Sequence, residues 1–174
     1  MERSIGTWQW IGFAVTSFLG TILHFLYEWL NEAVWIAPFS GVNESTWEHM
    51  KLLFWPMLAF GAVEYLFLGK TENFWCIKLR GALLGLALIP VLFYTYNGII
   101  GKPPDWINIS IFFISAAASY LYETHLFNSG RVRCFSERAA IVTLLVIALM
   151  FVLFTFVTPE INIFRDGLTG TYGV

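Results

Sequence analysis

The chain holds three histidines, and each has glutamates close by in sequence. In the first apolar stretch Gly12, Thr16, Gly20, His24 and Glu28 recur every four residues, which places them on one slowly turning helix face. Small residues let a neighbouring helix approach, so His24 and Glu28 are expected to point into that interface. The string NESTWEH follows, with Asn43, Glu44, Ser45, Glu48 and His49 leading into a second helix. Ser45 with Glu48 three residues on reads as a capping box, in which each satisfies the other's free backbone amide. That account leaves Glu44 and His49 unexplained. Two imidazoles and up to three carboxylates (Glu28, Glu44, Glu48) can then converge where the first helix ends and the second begins. Such a donor set suits zinc, iron or manganese, with His24, Glu28, Glu48 and His49 as ligands. It suits a proton relay equally, because imidazole titrates near neutrality.

A second polar group lies towards the other end of the same helices. Glu64 sits between Val63 and Tyr65 in an otherwise apolar run, and Tyr122, Glu123 and His125 stand near the end of a fourth stretch. Charges inside a bilayer cost about 2.5–3.5 kcal/mol each on insertion scales, so they tend to mark function. Glu64 can be protonated and silent, or it can pair with His125 or with an arginine of a nearby loop. Glu123 and His125 are two apart and diverge on a helix. The plain account of both is snorkelling to the interface.

The elements that carry these groups follow from composition. Of 174 residues, 57% are hydrophobic, 18% aromatic and 13% charged, and mean hydropathy is +0.67. The charged share is about half of what covers a globular surface. An ordinary soluble enzyme and a disordered chain are excluded. A nucleic-acid partner is excluded too, because the net charge of −2 offers no basic field for phosphates. A hydrocarbon core about 30 Å thick needs about 20 apolar residues in helix. Five stretches qualify, at about 8–30, 50–68, 79–96, 106–126 and 139–157. They predict an all-α membrane protein, a single bundle of about five transmembrane helices with lipids as its surroundings. Pro56 predicts a kink in the second, Gly81 and Gly85 form a GxxxG pair in the third, and Ser115 to Ser119 provide a small-residue surface in the fourth. Trp8, Trp10, Trp29, Trp47, Trp75, Tyr94, Tyr96 and Trp106 read as interfacial anchors.

Seven of the ten basic residues (Arg3, Lys70, Lys78, Arg80, Arg131, Arg133, Arg138) fall on one side, and Lys51, Lys102 and Arg165 on the other. The positive-inside rule then sets the N-terminus in the cytoplasm and the C-terminus outside. Cys76 and Cys134 fall on the cytoplasmic side and are expected to be free thiols. Residues 31–42 are too short to cross and read as an outer interfacial or re-entrant loop. The tail 158–174 is expected to pack over the outer mouth. A nucleophile elbow, a phosphate loop, HExxH and CxxCH are all lacking, so no nucleotide, haem or flavin is expected.

The strings HFLYEW, VNESTWEHMKLLFWP and the terminal GTYGV resemble a family of small bacterial polytopic membrane proteins of unknown function, over most of the chain. That resemblance implies about five helices, the cytoplasmic (inner) membrane of a bacterium as the location, and no assigned activity. A second resemblance, to the adiponectin-receptor and haemolysin III superfamily, rests on Asn43, Glu44, Glu48 and His49. It implies a three-histidine zinc site and hydrolase chemistry. The chain lacks that superfamily's HxxxH pair on a late helix, and His125 falls on the opposite face.

Three functions are therefore expected in order. The first is transport or conduction of a cation or protons by a homo-oligomer: Glu28 and Glu44 attract, His24 and His49 bind or relay, and Glu64, Glu123 and His125 serve the inner side. The second is a zinc hydrolase acting on a lipid, with His24, His49 and Glu28 as ligands and Glu44 or Glu48 as base. The third is a non-catalytic scaffold or partner subunit, with every polar group a cap or packing contact.

Overall fold

The computed structural model describes residues 2–69, 71–101, 104–130 and 132–173, and the side chains of all of these except 2, 3 and 105. Of the basic residues used for orientation, Lys70, Lys102, Arg131 and the Arg3 side chain lie outside the described residues. The described residues form five long helices: α1 Glu2–Trp29, α2 Thr46–Leu68, α3 Phe74–Ile99, α4 Asp105–Ser129 and α5 Glu137–Phe156. A short 3₁₀ turn, Asn162–Phe164, follows in the tail. α2, α3 and α4 each contain one of the apolar stretches, and α1 and α5 cover theirs except for the last residue. Four of them, α1, α2, α3 and α5, are long and apolar enough to cross a membrane. α4 is as long but less apolar, since Asn108, Ser115, Ser119, Tyr120 and Glu123 lie along it.

Local chemistry sets the ends. Ser45 Oγ accepts the Glu48 amide at 3.3 Å and starts α2; Ser136 Oγ accepts the Ala139 amide at 3.3 Å and starts α5. Gly130, at φ 59°, closes α4 in the left-handed conformation that glycine adopts without a Cβ penalty. α2 continues through Pro56 and α3 through Pro90.

α1, α2, α3 and α4 form a ring in which each helix packs on the next, with α4 closing back on α1. α5 lies outside the ring, chiefly against α3. In the most apolar stretch of α5 only 22% is buried, against 56% for α2, so α2 is the inner helix and α5 presents apolar side chains outward. Leu66, Phe67, Val142, Leu145 and Leu149 are all exposed. An exterior of this kind is stable against acyl chains and unstable against water.

One end of the bundle gathers the start of α1, the end of α2, the start of α3, the end of α4 and the start of α5; we call it the amino end. There Ile5, Leu68, Phe74, Ile77, Leu126, Phe127, Val132 and Ala140 share one core. Cys76 and Cys134 are joined at this end by a disulfide, with Cα atoms 5.9 Å apart, so the expectation of free thiols is corrected. A sequence separation of 58 gave no sign of the bond; packing the start of α3 beside the connection into α5 creates it.

The opposite, tail end is closed by the α1–α2 connection and by the C-terminal tail. Ser40 Oγ accepts the Tyr27 amide at 2.9 Å and donates to the Leu23 carbonyl, which tucks residues 36–40 against α1. Trp55 Nε1 donates to the Pro38 carbonyl at 2.9 Å. The tail buries Phe164 against Trp47 and Phe154. Trp47, expected as an interfacial anchor, is therefore a core residue under the tail.

Candidate functional site

Two polar clusters occupy opposite ends of the ring. At the tail end, α1 brings His24, the first turns of α2 bring His49, and the connection between them brings Glu44. The Glu44 carboxylate lies between the two rings: Oε1 is 3.6 Å from His24 Nε2 and Oε2 is 3.6 Å from His49 Nε2. The ring centroids are 5.8 Å apart. His49 Nδ1 is 2.9 Å from the Ser45 carbonyl, an acceptor, so that nitrogen carries a proton, while Nε2 faces the Glu44 carboxylate. These groups border a cavity of about 360 Å³ whose wall also includes Asn97 and Asn108.

The tail holds Glu44 in place. Asp166 Oδ2 accepts the Glu44 amide at 3.1 Å, and Oδ1 accepts the amides of Leu168 at 2.5 Å and Thr169 at 2.8 Å. Burial works against ionisation of Asp166, but the amides of Thr169, Glu44 and Leu168 outweigh it and hold the carboxyl below its usual range. Asn43 Nδ2 adds a bond to the Gly173 carbonyl at 3.1 Å.

Glu28 and Glu48 do not join this cluster. Glu28 is exposed. Glu28 lies one turn beyond His24, about 40° further round the helix, and its side chain is turned to the exterior. Glu48 is buried and takes an ion pair from Lys51 Nζ at 2.6 Å and the Val42 amide at 3.0 Å. The predicted capping box is therefore half formed: the Ser45 hydroxyl caps Glu48, while the Ser45 amide goes to Asn43 Oδ1 at 2.9 Å. Lys51, counted in the sequence as an outer loop charge, is fully buried; its Nζ also donates to the Ala37 carbonyl at 2.9 Å and Thr155 Oγ1 at 3.0 Å. The ligand set His24, Glu28, Glu48 and His49 is thus not assembled, and among the described residues no group of three or more His, Cys, Asp or Glu is placed to hold a metal ion.

At the amino end the interior holds a knot built by all four ring helices. Lys78 on α3 donates to Glu64 Oε2 on α2 at 2.9 Å and to Glu123 Oε2 on α4. Gln9 on α1 donates to Glu64 Oε1 at 2.6 Å. Glu64 and Glu123 are fully buried, and Lys78 and Gln9 nearly so. Tyr120 lies beside the knot: its ring centroid is 5.1 Å from Lys78 Nζ, and its hydroxyl meets Thr16 Oγ1 at 2.7 Å. Among the described residues Glu64 therefore pairs with Lys78, and neither with His125 nor with a loop arginine. Glu123 does not snorkel. His125 is exposed, two residues round the helix from Glu123, and takes no part.

Sequence reasoning missed Lys78 and Gln9. Lys78 lay one residue outside the apolar stretch as drawn and was counted as a loop charge. Gln9, flanked by Trp8 and Trp10, is neutral and gave no charge signal. The signal that could have found Lys78 is its place three residues before Gly81, on the face that α3 turns to α4.

His49 and Glu64 are about 22 Å apart along α2, at 1.5 Å per residue. Leu53, Met57, Phe60, Phe112 and Ala116 pack between the clusters. The Thr16–Tyr120 hydroxyl pair is a polar contact within that layer.

No curated protein and no solved structure matches the chain. Over residues 1–174 it matches a family of unknown function, DUF6512, and the chain belongs to that family.

Proposed function

We propose that the protein is an integral membrane protein of the bacterial cytoplasmic membrane that moves protons or a small cation between the tail-end cluster and the amino-end knot. The observation that carries the reading is the knot itself. Two fully buried carboxylates share one buried ammonium, so the group holds one excess negative charge unless a proton or cation joins it. An uncompensated charge in a low-dielectric interior costs several kcal/mol, which makes uptake of a positive species favourable. The tail-end cluster supplies the second station: an exposed carboxylate, 39% accessible, between two imidazoles. Thr16 and Tyr120 provide hydroxyls along the way.

The amino end faces the cytoplasm in this reading and the C-terminus lies outside. With Lys51 and Lys78 buried in ion pairs, the remaining basic residues still favour the amino end, by six to two. Five helices are few for a carrier, so a homo-oligomer is expected. The purified protein in vesicles should dissipate an imposed pH gradient, and Glu64→Gln should slow it severalfold. A Glu64→Gln variant as fast as the parent removes the knot from the path.

A second reading is a non-catalytic scaffold in which the knot joins four helices. The packed layer from Leu53 to Ala116 favours it, since it separates the two clusters with apolar side chains.

A further inference from the structure

Within the knot the two carboxylates are not equivalent. Glu64 has a donor on each oxygen, the Gln9 amide on Oε1 and the Lys78 ammonium on Oε2. Glu123 has Lys78 on Oε2 only, and its Oε1 is buried with no hydrogen-bond partner. Hydrogen bonds stabilise the charged form of a carboxylate, so the less solvated of two competing carboxylates is the one that takes a shared proton. A buried acceptor without a partner costs about 1–3 kcal/mol, more when charged, and a proton placed there removes that cost. We propose that the single exchangeable proton of the knot resides on Glu123 at Oε1, with Glu64 as the fixed counterion of Lys78. This assignment rests on the proton-moving reading above for its purpose, but not for its test.

The surroundings of Oε1 are those of a proton site. Gly81 of α3 lies directly against the carboxyl: a Cβ there would collide with Oε1, Cδ and Cγ of Glu123. The glycine is what admits a carboxyl between α3 and α4. A void of about 10 Å³ borders Glu123 and Lys78 under Gly61 and Ala82, close to the least space that takes one water molecule. The titratable and charged groups facing Glu123 are Lys78 from α3, Glu64 from α2 and Tyr120 from its own helix; Gln9 and Thr16 are the polar groups from α1, and α5 offers Leu144. The step is a simple protonation. The Glu123 carboxylate accepts one proton from hydronium, giving the neutral acid and water, and returns it to water as hydronium on the reverse step, with Lys78 charged throughout.

Infrared spectroscopy of the reconstituted full chain tests this through the carbonyl stretch of a protonated carboxylic acid, in wild type and in variants that keep both carboxyls. Glu123→Asp and, independently, Gly81→Ala should shift that band, while Glu64→Asp should leave its position unchanged. A wild type without the band, or a band that moves with Glu64→Asp and ignores Glu123→Asp, overturns the assignment. If Gly81→Ala fails to fold, the two aspartate variants still decide. Flux need not be present for the band to be seen. A band on Glu123 in vesicles that do not dissipate a pH gradient would therefore sink the transport reading and leave this one standing.

Discussion

Lys78, four residues into α3, donates to Glu64, four residues before the end of α2, at 2.9 Å with both side chains buried. The pair ties two helices that are consecutive in the chain, and Glu123 on α4 and Gln9 on α1 complete a contact among all four helices of the ring. Removing the ammonium leaves two carboxylates facing each other without a cation. Lys78→Met should cost about 3–5 kcal/mol of stability, the range for breaking a buried pair from one side. Adding Glu64→Gln and Glu123→Gln to it should recover most of the loss, since a neutral interior carries no unpaired charge. Thermal unfolding of the detergent-solubilised variants gives the comparison. A single variant as stable as the parent would show that the knot is not the buried charge cluster described.

The Cys76–Cys134 bond closes a loop spanning 58 residues at the amino end. Replacing both with serine should lower the unfolding temperature, by an amount equivalent to about 2 kcal/mol, the lower part of the usual range because helices persist in the unfolded membrane state. Reducing agent should reproduce the loss in the parent and leave the double variant unchanged. The same residues test orientation. With the amino end in the cytoplasm, both sulfurs, once the bond is reduced, should be alkylated in intact cells by a membrane-permeant reagent only. Labelling by an impermeant reagent after reduction of whole cells would place that end outside.

Asp166 links the tail to Glu44, and its pKa lies below the usual carboxylate range. A depressed folded pKa gives stability that is present above the unfolded value of about 3.9 and lost as pH falls through the folded value. The tail should therefore stay docked at pH 5 and come loose only in stronger acid, read as protease cleavage of the C-terminal residues. Asp166→Asn should loosen it at neutral pH, by about 1.5–3 kcal/mol for lost charge-assisted bonds. Cleavage that is the same in parent and variant at pH 7 would contradict the role given to Asp166.

The helices were legible because an apolar run of about 20 residues has few alternatives. The meeting of His24, Glu44 and His49 was legible as well, since a four-residue stripe and a capped helix start place them at one corner. The capping box was legible only in its hydroxyl half, because the Asn43 side chain competes for the Ser45 amide. Other features depend on tertiary partners. Lys51 and Lys78 look like interfacial cations in sequence, and only the approach of Glu48, Glu64 and Glu123 makes them interior ones. Glu28 shares the spacing of the stripe, but it stands one turn past His24 with its side chain exposed, away from the connection that brings Glu44 in. The GxxxG pair has its reason in the neighbour: Gly81 admits the Glu123 carboxyl, and a Cβ at Gly85 would come within 2.5 Å of Ser119 Oγ.

Proton flux into vesicles carrying an entrapped pH-sensitive dye, driven by a potassium diffusion potential, tests the central claim most directly. Wild-type protein should acidify or alkalinise the lumen severalfold faster than protein-free vesicles. Glu44→Gln at one end and Glu64→Gln at the other should each slow it, and the double variant should be no slower than the slower single one, as expected for two stations on one path. Wild-type vesicles no faster than empty ones, or either single variant running at the wild-type rate, would contradict the account.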